Sequence, residues 1–112
     1  MALLERSLDE GQAEDVIVID LNGKTTIADY MVIASGRSSR HTVTLAERLV
    51  EALKQHGQRK VPVEGKAKGE WVLVDAGDVI VHIFRPEQRR FYNLEKMWGM
   101  TLPEPDHTEL SA

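Results

Sequence analysis

The chain has 112 residues, a formal net charge of -4, 29% charged residues and no cysteine, which excludes disulfides, thiolate nucleophiles and cysteine-ligated zinc. This length suits one domain with a modest core, and no apolar run approaches the roughly 20 residues of a membrane span. Because the N-terminus is acidic where an export signal is basic, and because the net charge is negative, we expect a cytoplasmic protein whose partner is a basic protein rather than naked nucleic acid.

The first half of the chain predicts a helix, two strands and a long helix. A leucine stripe predicts a short helix from Ala2 to about Gly11. The β-branched run Asp15–Asp20 predicts a strand buried on both faces, and a second strand follows at Asp29–Gly36. A helix then runs from Ser38 or Ser39 to Gly57, with a serine N-cap and a terminal glycine. Because this helix joins the second and third strands, we expect those strands to be parallel neighbours.

The second half predicts a short strand, a hairpin and a final helix. Val61–Gly65 has the composition of a strand, and Pro62 indicates that this strand lies at a sheet edge. Gly69–Phe84 is apolar on both faces and predicts a tight β-hairpin. A helix over residues 86–97 begins with proline, which is favoured in a first helical turn.

The order of these elements predicts an α+β (mixed α/β) fold with a sheet of about five strands and flanking helices. We expect one domain over residues 1–100. Residues 101–112 contain two prolines and no hydrophobic periodicity, which is typical of a mobile tail.

The hairpin raises the question of which side chains it displays. A two-residue loop at positions 76–77 would place Trp71 opposite His82 and Asp75 opposite Asp78 on one face of the sheet. The other face would be wholly β-branched: Val72, Val74, Val79, Val81 and Ile83. Either the tryptophan and the histidine are core residues, or their face is partly open and Trp71 anchors a partner.

The residue patterns do not predict an enzyme, a metal site or a cofactor. The four histidines lack metal-ligand spacing, and no G-x-S-x-G elbow occurs. The turn SGRSSRH lacks the Walker and G-x-G-x-x-G patterns of phosphate loops, so helix capping is the simpler role for Ser38. Asp75 and Asp78 in DAGD do not form the D-x-D pair that would hold magnesium.

Basic residues cluster in three places: Arg37 and Arg40; Arg59, Lys60, Lys66 and Lys68; Arg85, Arg89 and Arg90. Each cluster is either a solvated part of the surface or a local contact with phosphate at the edge of a larger protein–RNA interface.

Three blocks occur in order along the chain: DVIVIDLNGKTTIADYMVIASGRSSRH, GEWVLVDAGDVIVHIF and RRFYNLEKMW. With these blocks the chain resembles the Iojap-like ribosomal silencing factors (RsfS family) over about residues 4–99. The resemblance implies a sheet similar to that of nucleotidyltransferase domains, without their catalytic acids. It also implies binding to the large ribosomal subunit through ribosomal protein L-fourteen, which blocks association with the small subunit and represses translation. Large-subunit assembly without silencing, or nucleotide binding by a degenerate transferase, are the alternatives.

The resemblance assigns partner binding to six residues: Trp71, Glu70, Asp75, Asp78, His82 and Tyr92. The tryptophan matches the family's W-x-x-x-D block and would supply contact area, while the three acids would complement a basic surface. Asp29 and Tyr30 also match, with a structural role equally open to them. Trp98 is assigned to the core. An edge strand near Val61 leaves a homodimer open.

Overall fold

The structure, a computed structural model, describes residues 1–23, 26 and 28–87. The described residues form two helices and five strands. These elements are α1 (Ala2–Glu10), β1 (Glu14–Asp20), β2 (Tyr30–Ser35), α2 (Ser39–Gln55), β3 (Val63–Glu64), β4 (Trp71–Asp75) and β5 (Val79–Phe84). Beyond its first two residues, the predicted helix over residues 86–97 lies outside the described residues, as do Tyr92, Trp98 and the predicted tail.

The strands form one mixed sheet in the order β1-β2-β5-β4-β3. The prediction of a mixed five-stranded α+β fold is therefore confirmed, and β3 lies at an edge as Pro62 indicated. The predicted parallel pairing of the second and third strands is wrong, because the parallel partner of β2 is β5. All six residues of β5 pair with β2, whereas β3 has only two residues and offers too few ladder bonds for a central position.

Helix α2 begins and ends as its sequence predicts. The Ser38 side chain accepts a hydrogen bond from the backbone N–H of His41 at 3.1 Å, which satisfies one of the free donors of the first turn. After the helix, Gly57 adopts a φ of +94°. The Gln58 N–H then donates to the Leu53 carbonyl at 3.0 Å. This pattern is a Schellman motif, which closes the free carbonyls of the last turn.

The two faces of the sheet bury different sets of side chains. One face packs against α1 and α2, and its strand residues are Val32, Ala34, Val72, Val74, Val79, Val81 and Ile83. The opposite face, which we call the aromatic face, carries Met31, Ile33, Trp71, His82 and Phe84. Leu21 and Ala28, from the connection between β1 and β2, pack against this second cluster.

The hairpin turns one residue later than predicted. The Ala76 N–H donates to the Val79 carbonyl at 2.9 Å, and the Asp75 carboxylate accepts from the Gly77 N–H at 2.9 Å. Gly77 has a φ of +89°, a conformation that glycine adopts without steric cost. Trp71 is therefore opposite Phe84, not His82. Because the pairing is shifted by two residues, each side chain stays on its predicted face.

The prediction that the β-branched run of β1 is buried on both faces is wrong. Val16, Ile17 and Val18 are 38%, 37% and 40% exposed. The strand is terminal in the sheet, and α2 packs over β4 and β5 while α1 packs on α2, so the helical layer is centred away from β1. A bulge between Glu14 and Ile17 further bends its start.

Candidate functional site

Trp71 and His82 form a hydrogen-bonded pair on the aromatic face. The indole N–H of Trp71 donates to Nδ1 of His82 at 2.9 Å. The two side chains belong to neighbouring strands but are not directly opposite, because His82 pairs with Leu73. Phe84 completes the group by stacking on the indole, with ring centroids 4.9 Å apart. This geometry pairs the indole donor inside an apolar cluster, as a buried tryptophan requires.

The same hydrogen bond fixes the tautomer of His82, and burial keeps the ring neutral. Because Nδ1 accepts the hydrogen bond from the indole N–H, the proton of the neutral imidazole resides on Nε2. Burial lowers the pKa of His82 from 6.5 to about 4, since a charged ring is poorly solvated there. Protonation of Nδ1 would also place its N–H against the indole N–H, so that two donors would face each other without an acceptor. His82 is therefore neutral near pH 7.

The hypothesis that Trp71 and His82 are displayed to a partner is wrong for this structure. Trp71 is 4% exposed and His82 is 2% exposed, so the interpretation as core residues is the one that the structure supports. Leu21 and Ala28 pack in the same cluster as the indole, which contributes to its burial. A role for either residue in partner binding stays a prediction, and it would act through the shape of the strands that the pair holds together.

Four aspartates meet at one end of the sheet, which we call the acidic end: Asp20, Asp29, Asp75 and Asp78. Strand pairing brings them together, because Asp20 is opposite Tyr30 and Tyr30 is next to Val79. The backbone N–H groups of Asp29 and Tyr30 both donate to the Asp78 carbonyl, at 2.8 and 3.2 Å. The Asp75 side chain is half-buried and the other three are exposed. The end therefore presents several carboxylates on a hydrogen-bonded frame.

The acidic end differs from the predicted set of acids in two ways. Glu70 is absent from it, because Glu70 precedes Trp71 at the other end of β4, about 17 Å along the strand from Asp75. There its carbonyl accepts from the Arg85 N–H at 3.0 Å. Asp20 was not predicted as a site residue, and Asp29 was equally open to a structural role. The antiparallel pairing of β1 with β2 groups Asp20 with Asp29, and the parallel pairing of β2 with β5 places both beside the hairpin turn.

The turn before α2 uses its polar groups internally. Nδ1 of His41 accepts from the Arg37 N–H at 2.9 Å, and the other ring nitrogen lies 2.9 Å from the Gly11 carbonyl. With Nδ1 as acceptor, Nε2 carries the proton and donates to Gly11. His41 thereby ties the start of α2 to the end of α1. Together with the Ser38 cap, this arrangement favours a structural role for SGRSSRH over a phosphate site.

Several members of the basic clusters also have acidic or polar partners within the chain. Lys66 lies 3.2 Å from the Glu47 carboxylate. Arg85 pairs with Glu87 and donates to the Ser39 hydroxyl at 3.2 Å. These contacts support the interpretation of a solvated surface, while phosphate contact stays a prediction.

The described part of the chain contains no group of three or more His, Cys, Asp or Glu side chains arranged to hold a metal ion. Neither of the helices described there combines the length and apolarity needed to cross a membrane.

The chain matches the family described as ribosomal silencing factor during starvation, RsfS, over residues 1–112. It is 52% identical to the ribosomal silencing factor RsfS of Zymomonas mobilis over 99 residues, which make up 88% of this chain and 74% of the relative. It is also 36% identical to the mouse protein named mitochondrial assembly of ribosomal large subunit protein 1. That match covers 98% of this chain and 50% of the mouse protein.

A solved structure has the same fold. The crystal structure of a Chromobacterium violaceum protein superimposes with a TM-score of 0.84 at 38% sequence identity, covering 91% of this chain and 85% of that one. The sequence identity of 38% is well above the level at which two proteins share only a fold. The family match, the identity to named relatives and the shared fold lead to one conclusion: this chain is a member of the RsfS family of ribosomal silencing factors.

Proposed function

We propose that the protein binds the large ribosomal subunit through ribosomal protein L-fourteen and sterically blocks association with the small subunit, thereby repressing translation in the cytoplasm. The observation that carries this proposal is the acidic end, which presents Asp20, Asp29 and Asp78 to solvent on a rigid sheet. A basic protein surface is the partner that such charges complement. The names of the bacterial relatives supply the connection to the ribosome.

The rigidity of the acidic end matters for binding strength. Each exposed ion pair contributes only about 0.2–1 kcal/mol, so affinity needs several pairs formed together without ordering flexible loops. The Asp78 carbonyl joins β5 to the start of β2 through two hydrogen bonds, and the Asp75 carboxylate holds the turn. These acids therefore lose conformational entropy when the chain folds, and binding does not have to order them.

The proposed mechanism is occlusion rather than turnover. A domain seated on the surface that the small subunit contacts needs only to occupy volume, so no catalytic group is required. Trp71 and His82 contribute by holding β4 and β5 in the register that positions the hairpin turn. Tyr92 and Glu70 remain part of the proposed interface on the strength of the family resemblance.

Co-sedimentation tests this function directly. The purified protein is mixed with isolated large subunits, isolated small subunits and preformed whole ribosomes, and subunit joining is followed in the same mixtures. We expect binding to free large subunits with reduced joining. The double variant Asp20→Asn, Asp78→Asn should bind more weakly while keeping its fold, because asparagine retains the acceptor oxygen of each side chain. Binding to neither subunit would contradict the proposal, and a variant that binds like the wild type would remove the role of the acidic end.

A second candidate function is large-subunit assembly without silencing. It is favoured by the mouse relative, whose name refers to assembly of the mitochondrial large subunit. The same experiment separates the two functions. Binding to large subunits with joining unchanged would support assembly, whereas reduced joining supports occlusion.

A further inference from the structure

Strand β1 exposes more apolar surface than any other described strand. Val16, Ile17 and Val18 are 37–40% exposed, while Val32 and Ile33 on the adjacent strand are 0% exposed. Within the described residues these three are, with Met1, the exposed large hydrophobic side chains. They are consecutive, so both faces of the strand contribute to the exposed surface.

This apolar run lies on a strand that has no sheet neighbour on its outer side among the described strands. An edge strand presents backbone N–H and C=O groups outward, and these groups can pair with an added strand. Residues 17–20 are in regular register with β2, so the strand is held in an extended form that another chain could pair with. Edge strands are commonly protected by bulges, charges or proline. The bulge of β1 lies between Glu14 and Ile17, and the regular segment that follows, Ile17 to Ile19, contains neither a charge nor a proline.

The flanking charges indicate which chain would add to this edge. Glu14 begins β1 and Asp20 ends it, and both are exposed. In a two-fold pairing of β1 with a second copy, the register that stacks the apolar centres would place Ile17 opposite Ile17. Because of the bulge between Glu14 and Ile17, Glu14 would then lie beside Asp20 of the other copy, within about one residue of the directly opposite position. Like charges brought together in this way across a strand pair repel one another and destabilise it. A strand with basic residues at both ends would instead meet two acids.

We propose that β1 is a docking strand for an extended segment of a partner protein, with a β-branched centre flanked by Lys or Arg, which adds as a sixth strand. Backbone hydrogen bonds would supply affinity and the flanking charges would supply direction and specificity. Six residue steps separate Glu14 from Asp20, and the bulge between Glu14 and Ile17 makes their separation shorter than the roughly 20 Å of a fully extended strand, so the partner segment needs about six residues. This inference goes beyond the proposed ribosomal function and does not depend on it.

Synthetic peptides provide the probe. One peptide has alternating Val and Thr at its centre and Lys at both ends, and carries N-methyl groups along one edge so that it cannot assemble with itself. The first control has the same centre with Glu at both ends. The second control is N-methylated along both edges and cannot form ladder hydrogen bonds. Binding to the full chain is followed by fluorescence anisotropy and by amide chemical shifts.

We expect the lysine-flanked peptide to bind and to shift amides of residues 14–20, with about tenfold weaker binding for each control, equivalent to about 1.4 kcal/mol. Val18→Lys should weaken binding by a similar factor, because it places a charge in the apolar centre and repels the basic ends. Val18→Thr keeps the branched shape and serves as the matched variant. Asp20→Asn should weaken binding, whereas Glu51→Gln on α2 should not.

Other outcomes would overturn the proposal. Equal binding of lysine-flanked and glutamate-flanked peptides would show that charge does not select the partner. Amide shifts outside β1, or no binding of any peptide, would show that the edge is not a docking strand. A concentration-dependent dimer in sedimentation equilibrium that Val18→Lys disrupts would identify a second copy as the occupant.

Discussion

At the residue scale, the hydrogen bond between Trp71 and His82 explains why a histidine stands among β-branched residues. The indole needs an acceptor once it is buried, and Nδ1 of His82 supplies it at 2.9 Å. Valine or isoleucine at position 82 would pack in the same space but leave the indole N–H unpaired, at a cost of about 1–3 kcal/mol. His82 therefore provides the acceptor that the buried indole N–H of Trp71 requires.

Replacement of Trp71 separates its packing from its hydrogen bond. We expect Trp71→Ala to lower the free energy of unfolding by about 3–5 kcal/mol, because the side chain is 4% exposed. Trp71→Phe keeps an aromatic ring and loses the donor, so its cost should be smaller. Urea denaturation measures both. A stable Trp71→Ala variant that binds large subunits poorly would instead restore the interpretation of Trp71 as a surface anchor.

Protonation of His82 predicts a loss of stability in acid. The pKa is about 4 in the folded chain and 6.5 as the ordinary value, so the unfolded chain binds more protons between these pH values. Stability from this group is therefore complete above about pH 6.5 and is lost as the pH falls toward 4, by about 3 kcal/mol in total. Unfolding free energies of the wild type and of His82→Gln, measured from pH 7 to 4, isolate this contribution. The prediction is wrong if both proteins lose stability equally.

At the element scale, neighbouring residues determine where helix α2 ends, whereas the burial of a strand depends on its position in the sheet. Gly57 ends α2 in both the sequence pattern and the structure because its φ of +94° is a conformation that suits glycine. Strand β1 has a composition typical of a doubly buried strand, yet it is exposed. Its position at the end of the sheet is decided by pairing with β2, which its composition does not encode.

Gly57→Ala tests the helix terminus. No atom lies within 4 Å of a Cβ built at this position, so the expected cost of about 1 kcal/mol comes from the backbone conformation alone. Gly57→Asn should cost less, because asparagine tolerates the left-handed region. Thermal denaturation with the two variants side by side measures the difference. Equal stability of all three proteins would show that the Schellman motif contributes little.

Val18→Thr and Val32→Thr test the contrast between β1 and β2. Val18 is 40% exposed and Val32 is 0% exposed, and the two are directly opposite in the ladder. We expect Val18→Thr to change the free energy of unfolding by less than about 0.5 kcal/mol. Val32→Thr buries a hydroxyl and should cost about 1–3 kcal/mol. A similar cost at both positions would indicate that β1 is covered in solution.

At the scale of the whole molecule, the fold brings charges together that are distant in sequence. Asp20 and Asp29 flank the connection between β1 and β2, whereas Asp75 and Asp78 belong to the hairpin turn. The central position of β5 beside β2 is what makes one acidic end from these two segments. Glu70 is nearer in sequence to Asp75, yet the extended strand carries it to the opposite end of the sheet.

The acidic end predicts that the proposed binding to large subunits depends on salt. The screening length falls from about 30 Å at 0.01 M to about 8 Å at 0.15 M ionic strength, so the attraction between exposed charges weakens over this range. We expect the association rate to fall more than the dissociation rate rises. Stopped-flow measurements at several salt concentrations would check this. A rate independent of salt would indicate that apolar contacts, and not the aspartates, direct the encounter.

Features that depend on neighbouring residues could be predicted from the amino-acid sequence: the capped helix α2, the hairpin, the edge position of β3 and the separation of the hairpin's residues onto two faces. Hydrophobic period, turn chemistry and capping act over a few positions, so they can be read along the chain. The three sequence blocks also indicated the RsfS family, which the comparisons confirmed.

Four other features follow from the packing of the folded chain: the parallel pairing of β2 with β5, the burial of Trp71, the exposure of β1 and the set of aspartates that share one end of the sheet. Each of these depends on contacts between segments that are far apart in sequence. Burial in particular depends on what packs over a side chain, so valine and isoleucine are core residues in β2 and surface residues in β1.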